Sequence, residues 1–150
     1  MKKGTYVGLR VLGDSTDNIY QHCIDNNIPV KKQMFEQRLH TTLIYSRVHC
    51  PKLFAYPGII YRCEFKGYEL FSGDHGDTVL VALLNAPDVV KRHNTLMAEH
   101  PATYDYPVYN PHITLSYNFE GDIASLPPID FTIFLGKEYV EEIKLDWEQE

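Results

Sequence analysis

The chain has 150 residues, which fits a single domain over residues 1–150 that can bury a core without metal or disulfide support. Its formal net charge of −6 argues against binding to long nucleic acid, although a small nucleotide stays possible as a ligand. The longest apolar stretch, Val79–Leu84, is too short to span a membrane, and the three cysteines lack Cys-x-x-Cys spacing. We therefore expect a soluble domain with reduced thiols and no membrane partner.

The first third of the chain predicts a strand, a helix and a second strand. Alternation over Thr5–Leu12 predicts a strand with Tyr6 on the same face as two neighbours, Gly8 and Arg10. Asp14, Ser15 or Thr16 can cap a helix that runs to about Asn27, where Ile28-Pro29 ends it. A basic connection then leads to a strand over 39–46.

The next segments predict two strands and a helix. Ile59–Phe71 alternates, Ser72–Asp77 has the Gly/Asp composition of a hairpin connection, and Thr78–Leu84 is nearly all apolar. Asn85 or Asp88 can cap a helix that continues to about His100, with Pro87 in its first turn. The loop that follows carries three tyrosines, which could stack on a base or anchor the loop by burial; they are Tyr104, Tyr106 and Tyr109.

The last part predicts three more strands. They cover His112–Phe119, Asp130–Leu135 and Tyr139–Trp147, with a turn at Gly136-Lys137 between the last two. Alternation places Glu141 and Trp147 on one face of the final strand, with apolar neighbours. A carboxylate on such a face needs a partner or a water-filled cavity, because burying it alone is costly.

One tetrapeptide pattern, His-x-Thr-Leu, occurs twice, at His40–Leu43 and His112–Leu115. Alternation predicts that Thr42, Ile44 and Ser46 share a face with His40, and that Thr114 and Ser116 share a face with His112. Each copy follows an outer strand and a helix. This repetition predicts an α+β fold of two related antiparallel-sheet lobes, with helices outside and the motif strands meeting at a central cleft.

Two imidazoles and two hydroxyls are the groups needed to cleave a phosphodiester without a metal. One histidine can remove a proton from the attacking oxygen, and the other can protonate the leaving oxygen. Thr42 and Thr114 can donate hydrogen bonds to the non-bridging phosphate oxygens. A single His-x-Thr on a strand is usually structural, but two matching copies favour a functional site. The pairs His22-Cys23 and His49-Cys50 lack zinc-ligand spacing, so we expect no metal site.

The paired motifs resemble those of the two-histidine (2H) phosphoesterase superfamily, whose members carry His-x-Thr/Ser-hydrophobic repeats in a bilobal α+β fold. Within that superfamily, three stretches resemble the phage anti-CBASS nucleases, over nearly the whole chain. They are Gly4–Val7, Asn110–Tyr117 and Glu141–Trp147.

The resemblance implies a cytosolic enzyme of the infected bacterial host that degrades cyclic di- and trinucleotide signals of CBASS defence. A ribose 2′-hydroxyl would attack the adjacent phosphate and open the ring through a 2′,3′-cyclic phosphate. His40 and His112 would act as base and acid in an order that the sequence leaves open, while Thr42 and Thr114 hold the phosphate. The resemblance implies that the reaction needs no metal or other cofactor, and it gives no indication of a protein partner.

The same resemblance implies an aromatic and acidic surround for the bases. Tyr6, Glu141 and Trp147 match it.

Two other functions fit the same residues. One is a 2H enzyme acting on the 2′,3′-cyclic phosphate ends of RNA, which the net charge disfavours. The other is a non-catalytic protein that sequesters cyclic nucleotides and uses the histidines only as ligand contacts.

Overall fold

The structure is a computed structural model that describes residues 3–32, 39–72 and 77–144. Its strands are β1 (Lys3–Val11), β2 (His40–Ser46), β3 (Tyr61–Ser72), β4 (Thr78–Asn85), β5 (His112–Ser116) and β6 (Ile133–Lys144). Its helices are α1 (Gly13–Asp25), α2 (Pro87–Glu99) and a short 3-10 helix, Ile123–Ser125.

The six strands form one antiparallel sheet in the order β2-β1-β6-β3-β4-β5. The predicted α+β class is confirmed. The order is symmetric when β1-α1-β2 is matched with β4-α2-β5, which puts both motif strands, β2 and β5, at the edges of the sheet. One sheet contains both halves, because β3 pairs with β6 through Tyr61–Cys63 and with β4 over Glu64–Ser72.

One face of the sheet packs against the helices and contains the core. Val7 and Leu9 of β1 are fully buried there, in the same cluster as Ile19 of α1 and Val89 and Leu96 of α2. We call this the core face. The opposite face of β1 carries Tyr6, Gly8 and Arg10, and we call it the open face. Because the helices cover the core face, the open face of the sheet is left for a ligand.

A buried ion pair connects α2 to β6 on the core face. Glu138 is 3% exposed and accepts hydrogen bonds from Arg92 Nε at 2.8 Å and Nη2 at 2.9 Å. The amide of Tyr56 donates a third, at 2.7 Å. The carboxylate is therefore fully hydrogen-bonded, as a buried charge must be.

Several predicted boundaries are wrong. The final two predicted strands are one, β6, because Lys137 adopts a positive φ of 49° and forms a bulge where a turn was expected. The second motif strand ends at Ser116 instead of Phe119. Helix α1 begins at Gly13, with no side-chain cap at Leu12, so the predicted capping residues lie inside the helix.

The three cysteines are free, as expected, and all three are buried. Among the described residues, no helix combines the length and apolar character needed to cross a membrane. The tip of the predicted hairpin connection, residues 73–76, lies outside the described residues, and so do Leu145 and Trp147.

Candidate active site

The first motif strand contains a bulge directly after its threonine. Thr42 lies opposite Gly8 and Ile44 opposite Val7, so Leu43 has no partner in β1. His40, opposite Arg10, and Thr42 therefore lie on the open face as predicted. Beyond Leu43 the alternation is inverted, because a bulge inserts one extra residue and exchanges the faces.

This inversion corrects part of the predicted face. Ile44 and Ser46 are buried on the core face instead of lying beside His40. Tyr45, predicted on the opposite side, lies across from Tyr6 on the open face.

The second motif strand has the same irregularity at the equivalent residue. Thr114 lies opposite Val81 and Ser116 opposite Leu80, so Leu115 is unpaired with β4. His112 and Thr114 share the open face as predicted. Ser116 does not, because it is 2% exposed and its hydroxyl donates to the Pro29 carbonyl at 2.6 Å. The two motifs thus match in local backbone geometry as well as in sequence.

The two edge strands approach each other in space. Cα atoms of β2 and β5 come within 8 Å, although the strands are not paired in the sheet. The loop of residues 102–110 bridges them, and within it the Tyr109 hydroxyl donates to the Thr42 carbonyl at 2.6 Å. The motifs, separated by 72 positions in sequence, are therefore neighbours in space.

Two cavities adjoin the motif strands, and each is lined by residues of both. The larger, about 1120 Å³, is lined by Thr42 and Tyr45 of the first motif strand and by His112 of the second. The smaller, about 670 Å³, is lined by His40 of the first motif strand, by Thr114 of the second and by Tyr117, which directly follows the second. Each cavity thus combines an imidazole from one motif with a hydroxyl from the other.

All four predicted catalytic side chains are partly exposed at these cavities. His112 Nδ1 lies 2.9 Å from the Asn110 carbonyl oxygen, and a carbonyl can only accept, so Nδ1 carries a proton. Nε2 is then the ring nitrogen able to exchange a proton with a ligand. The ring also meets Phe71 edge to face, with centroids 5.7 Å apart.

Tyr6 contacts the two predicted catalytic side chains of the first motif, His40 and Thr42. Its hydroxyl is 2.9 Å from Thr42 Oγ1, and its ring centroid is 6.1 Å from that of His40 in an edge-to-face arrangement. Burial raises the pKa of Tyr6 far above its ordinary value, so the phenol stays neutral and can donate to Thr42. Tyr139 lies beside it with Arg10 over its ring, the guanidinium carbon 4.3 Å from the centroid.

Glu141 lies opposite Tyr6 in the register of β1 and β6, on the open face. Its side chain is exposed, which satisfies the expectation that this carboxylate needs water or a partner. Its negative charge contributes to the raised pKa of Tyr139, where burial is the largest cause. Tyr6 and Glu141 therefore belong to one surface.

The sequence allowed the three loop tyrosines either to stack on a base or to anchor the loop by burial, and they differ in their surroundings. Tyr104 and Tyr109 pack on His93, with ring centroids 4.9 Å and 4.0 Å away, and so anchor the loop. Tyr106 is 69% exposed and lines the larger cavity.

Sequence reasoning missed Tyr45, Phe71 and the contacts of His93 as parts of this site. Tyr45 was missed because no sequence signal marks the bulge, although the second motif also has a tyrosine, Tyr117, three residues after its threonine. No group of three or more His, Cys, Asp or Glu side chains is arranged for a metal ion within the ranges that the structure describes.

Fold and site together define a small α+β protein with a duplicated His-x-Thr site on the two edge strands of one antiparallel sheet. Comparison with known proteins identifies the family: the chain belongs to the anti-CBASS protein Acb1 family, whose model matches residues 3–150.

Individual relatives named anti-CBASS protein Acb1 match almost end to end. The protein of Acinetobacter phage Ac42 is 30% identical over 151 residues, which covers 97% of this chain and 94% of the relative. That of Enterobacteria phage T4 is 30% identical over 144 residues, covering 96% and 91%. That of Vibrio phage KVP40 is 28% identical over 147 residues, covering 97% and 91%.

Proposed function

We propose that the protein counteracts CBASS defence as a metal-independent 2H phosphodiesterase that cleaves 3′,5′ bonds of cyclic di- and trinucleotides. The observation that carries the proposal is that each cavity is lined by the histidine of one motif and the threonine of the other. His112 and Thr42 line the larger cavity, and His40 and Thr114 line the smaller one. Each cavity offers a ligand one imidazole and one hydroxyl from different strands, which supports binding of a phosphate between the two edge strands. Membership in the anti-CBASS family supports the cyclic nucleotide as substrate.

The proposed reaction is an in-line displacement at phosphorus. One imidazole removes the proton of a ribose 2′-hydroxyl, whose oxygen forms a bond to the adjacent phosphorus. The bond from phosphorus to the 5′-oxygen breaks, and the other imidazole, as imidazolium, protonates that oxygen. The product is a linear nucleotide with a 2′,3′-cyclic phosphate. Histidines from strands at opposite edges of the sheet suit the opposite faces that attack and departure require.

The threonine hydroxyls stabilise charge on the non-bridging oxygens during this step. Thr42 can direct its proton toward the phosphate because the neutral Tyr6 phenol, 2.9 Å away, can supply the hydrogen bond that Thr42 Oγ1 accepts. Tyr6, Glu141 and Trp147 are proposed to contact a base of the ligand.

Mass spectrometry of the products tests the reaction. The purified chain is incubated with EDTA and a panel of 3′,3′-cyclic dinucleotides and cyclic trinucleotides, and we expect linear products ending in a 2′,3′-cyclic phosphate. His40→Ala and His112→Ala should each abolish turnover and retain much of the binding, because the imidazoles act mainly in the transition state. His100→Ala, at the end of α2, is the matched control and should turn over normally.

The alternatives give different outcomes in the same assay. Preferential cleavage of 2′,3′-cyclic phosphate ends on a short RNA would replace the proposal with an RNA-end phosphodiesterase. Recovery of intact cyclic nucleotide after heat denaturation of the complex would identify a sequestering protein. Near-normal turnover by either histidine variant would refute the mechanism.

Trp147→Ala tests the proposed base contact. It should weaken ligand binding by about 1–3 kcal/mol, the loss typical of one stacking partner. An unchanged dissociation constant in a calorimetric titration would exclude Trp147 from the binding surface.

A further inference from the structure

Two successive backbone carbonyls at the bulge in β2, those of Thr42 and Leu43, each accept a hydrogen bond from a side chain. Leu43 is the extra residue of the bulge, and β2 is an edge strand, so carbonyls on its outer side need other donors. The Tyr109 hydroxyl donates to the Thr42 carbonyl at 2.6 Å, and His93 Nδ1 lies 2.7 Å from the Leu43 carbonyl. Because a carbonyl only accepts, Nδ1 of His93 carries a proton.

The two donor side chains, His93 and Tyr109, also pack against each other. The rings of His93 and Tyr109 are stacked, with centroids 4.0 Å apart and an angle of 6° between their planes. His93 is 6% exposed and projects from α2, while Tyr109 comes from the loop that precedes β5. A helix, a loop and the bulge are therefore joined by two short hydrogen bonds and one ring stack.

The same loop segment also orients the second motif. Tyr109 binds the backbone of Thr42, and the next residue, Asn110, provides the carbonyl that holds His112 Nδ1 at 2.9 Å. A displacement of Tyr109 would move Thr42 and His112, which line the same cavity, relative to each other. Catalysis by a hydroxyl and an imidazole on one phosphate depends on their separation to a fraction of an ångström.

We propose that His93 and Tyr109 are positioning residues that fix the bulge of the first motif and set its spacing from the second; this inference rests on the proposed phosphodiesterase function. Neither side chain needs to touch the substrate. Their hydroxyl and N–H act through the backbone of Thr42 and Leu43. The expected loss is therefore in turnover rather than in substrate affinity.

Tyr109→Phe is the direct test, because it removes one oxygen and keeps the ring stack. We expect kcat on a cyclic dinucleotide to fall about 10- to 100-fold, with KM within about threefold of the unaltered protein. Tyr68→Phe is the matched control: the Tyr68 hydroxyl also donates to a backbone carbonyl, that of Pro127 at 2.7 Å, and also contacts a histidine, His22 at 2.7 Å. It should keep kcat within about twofold.

Two substitutions of His93 separate its donor from its ring. His93→Phe keeps an aromatic ring and should lose about tenfold in kcat, whereas His93→Gln keeps an N–H donor and should recover most of that loss. Imidazole ¹⁵N shifts of the unaltered protein should show the Nδ1-protonated tautomer of His93. The Nε2-protonated tautomer would overturn the inference independently of activity.

The kinetic outcomes distinguish the two levels of the proposal. If Tyr109→Phe has the kcat of the unaltered protein while His40→Ala is inactive, the positioning role is refuted and the phosphodiesterase stands. If Tyr68→Phe loses as much kcat as Tyr109→Phe, the effect is a general loss of stability and the inference fails. If the unaltered protein cleaves no cyclic nucleotide, both proposals are refuted.

Discussion

Substituting Gly8 by alanine would probe the packing of the open face beside the first motif. Gly8 lies opposite Thr42 in β2 and opposite Tyr139 in β6. A Cβ atom added there would be 2.7 Å from Cζ and from the hydroxyl oxygen of Tyr139, and 2.9 Å from Cε1 of Tyr6. Contacts below 3.0 Å force a side chain to move, and both rings here belong to the candidate site.

The expected cost follows from these contacts. Overpacking costs typically about 1–3 kcal/mol, which for a chain of this length corresponds to a fall in Tm of about 2–12 °C. Tyr139 is half-buried and held under Arg10, so it cannot yield freely. Displacement of Tyr6 would break its 2.9 Å contact with Thr42 Oγ1. We therefore expect kcat/KM on a cyclic dinucleotide to fall about tenfold, the loss of one hydrogen bond of about 1.4 kcal/mol.

Thermal denaturation and steady-state cleavage measure the two effects. Gly67→Ala is the matched control, because Gly67 also lies in a strand but has no atom within 4 Å of an added Cβ. It should change Tm and kcat/KM little. Gly8→Ala combined with Tyr139→Ala should recover stability by removing the obstructing ring. Unchanged Tm and unchanged kcat/KM in Gly8→Ala would refute the packing described for this face.

Three further predictions concern the core face. Glu138→Gln should lower the free energy of unfolding by about 3 kcal/mol in guanidinium denaturation, because it leaves Arg92 without its charge partner; a loss below 1 kcal/mol would contradict this. Burial raises the pKa of the Cys23 and Cys63 thiols to about 12, so a disulfide reagent at pH 8 should label neither until the protein unfolds. Burial lowers the pKa of His93 below about 6.5, so the unfolded state binds the proton more strongly and stability should fall as pH drops below that value. His93→Gln should make that decline shallower, and an unchanged slope in denaturation from pH 7 to pH 5 would show that another group is responsible.

The fold class followed from periodicity, because most predicted elements alternate or repeat at helical spacing over their full length. The boundaries that failed lie at irregular backbone. Lys137 looks like a turn residue after Gly136, yet β1 pairs with Gly136 before it and with Tyr139 after it, which keeps the strand continuous. Tertiary pairing decided between a bulge and a turn, which have similar local sequences.

The candidate site divides in the same way. The sequence predicted that the histidine and the threonine of each motif share a face, and this is confirmed for His40 with Thr42 and for His112 with Thr114. The two residues of each pair are two positions apart, and both come before the bulge in their strand. Tyr45 and Ser116 were placed on the wrong faces, since one inserted residue inverts all that follows it. The role of Trp147 stays a prediction.

The sequence by itself determined the chemical groups that the protein can offer: two imidazoles and two hydroxyls, one of each on the same side of a strand. It also determined that the same order of strand, helix and motif strand occurs twice. Only the tertiary structure decided how those groups meet. Each cavity takes its histidine from one motif and its hydroxyl from the other, and this arrangement depends on the approach of β2 to β5, the two bulges and the hydrogen bond from Tyr109 to Thr42. These are long-range contacts, which local propensity does not encode.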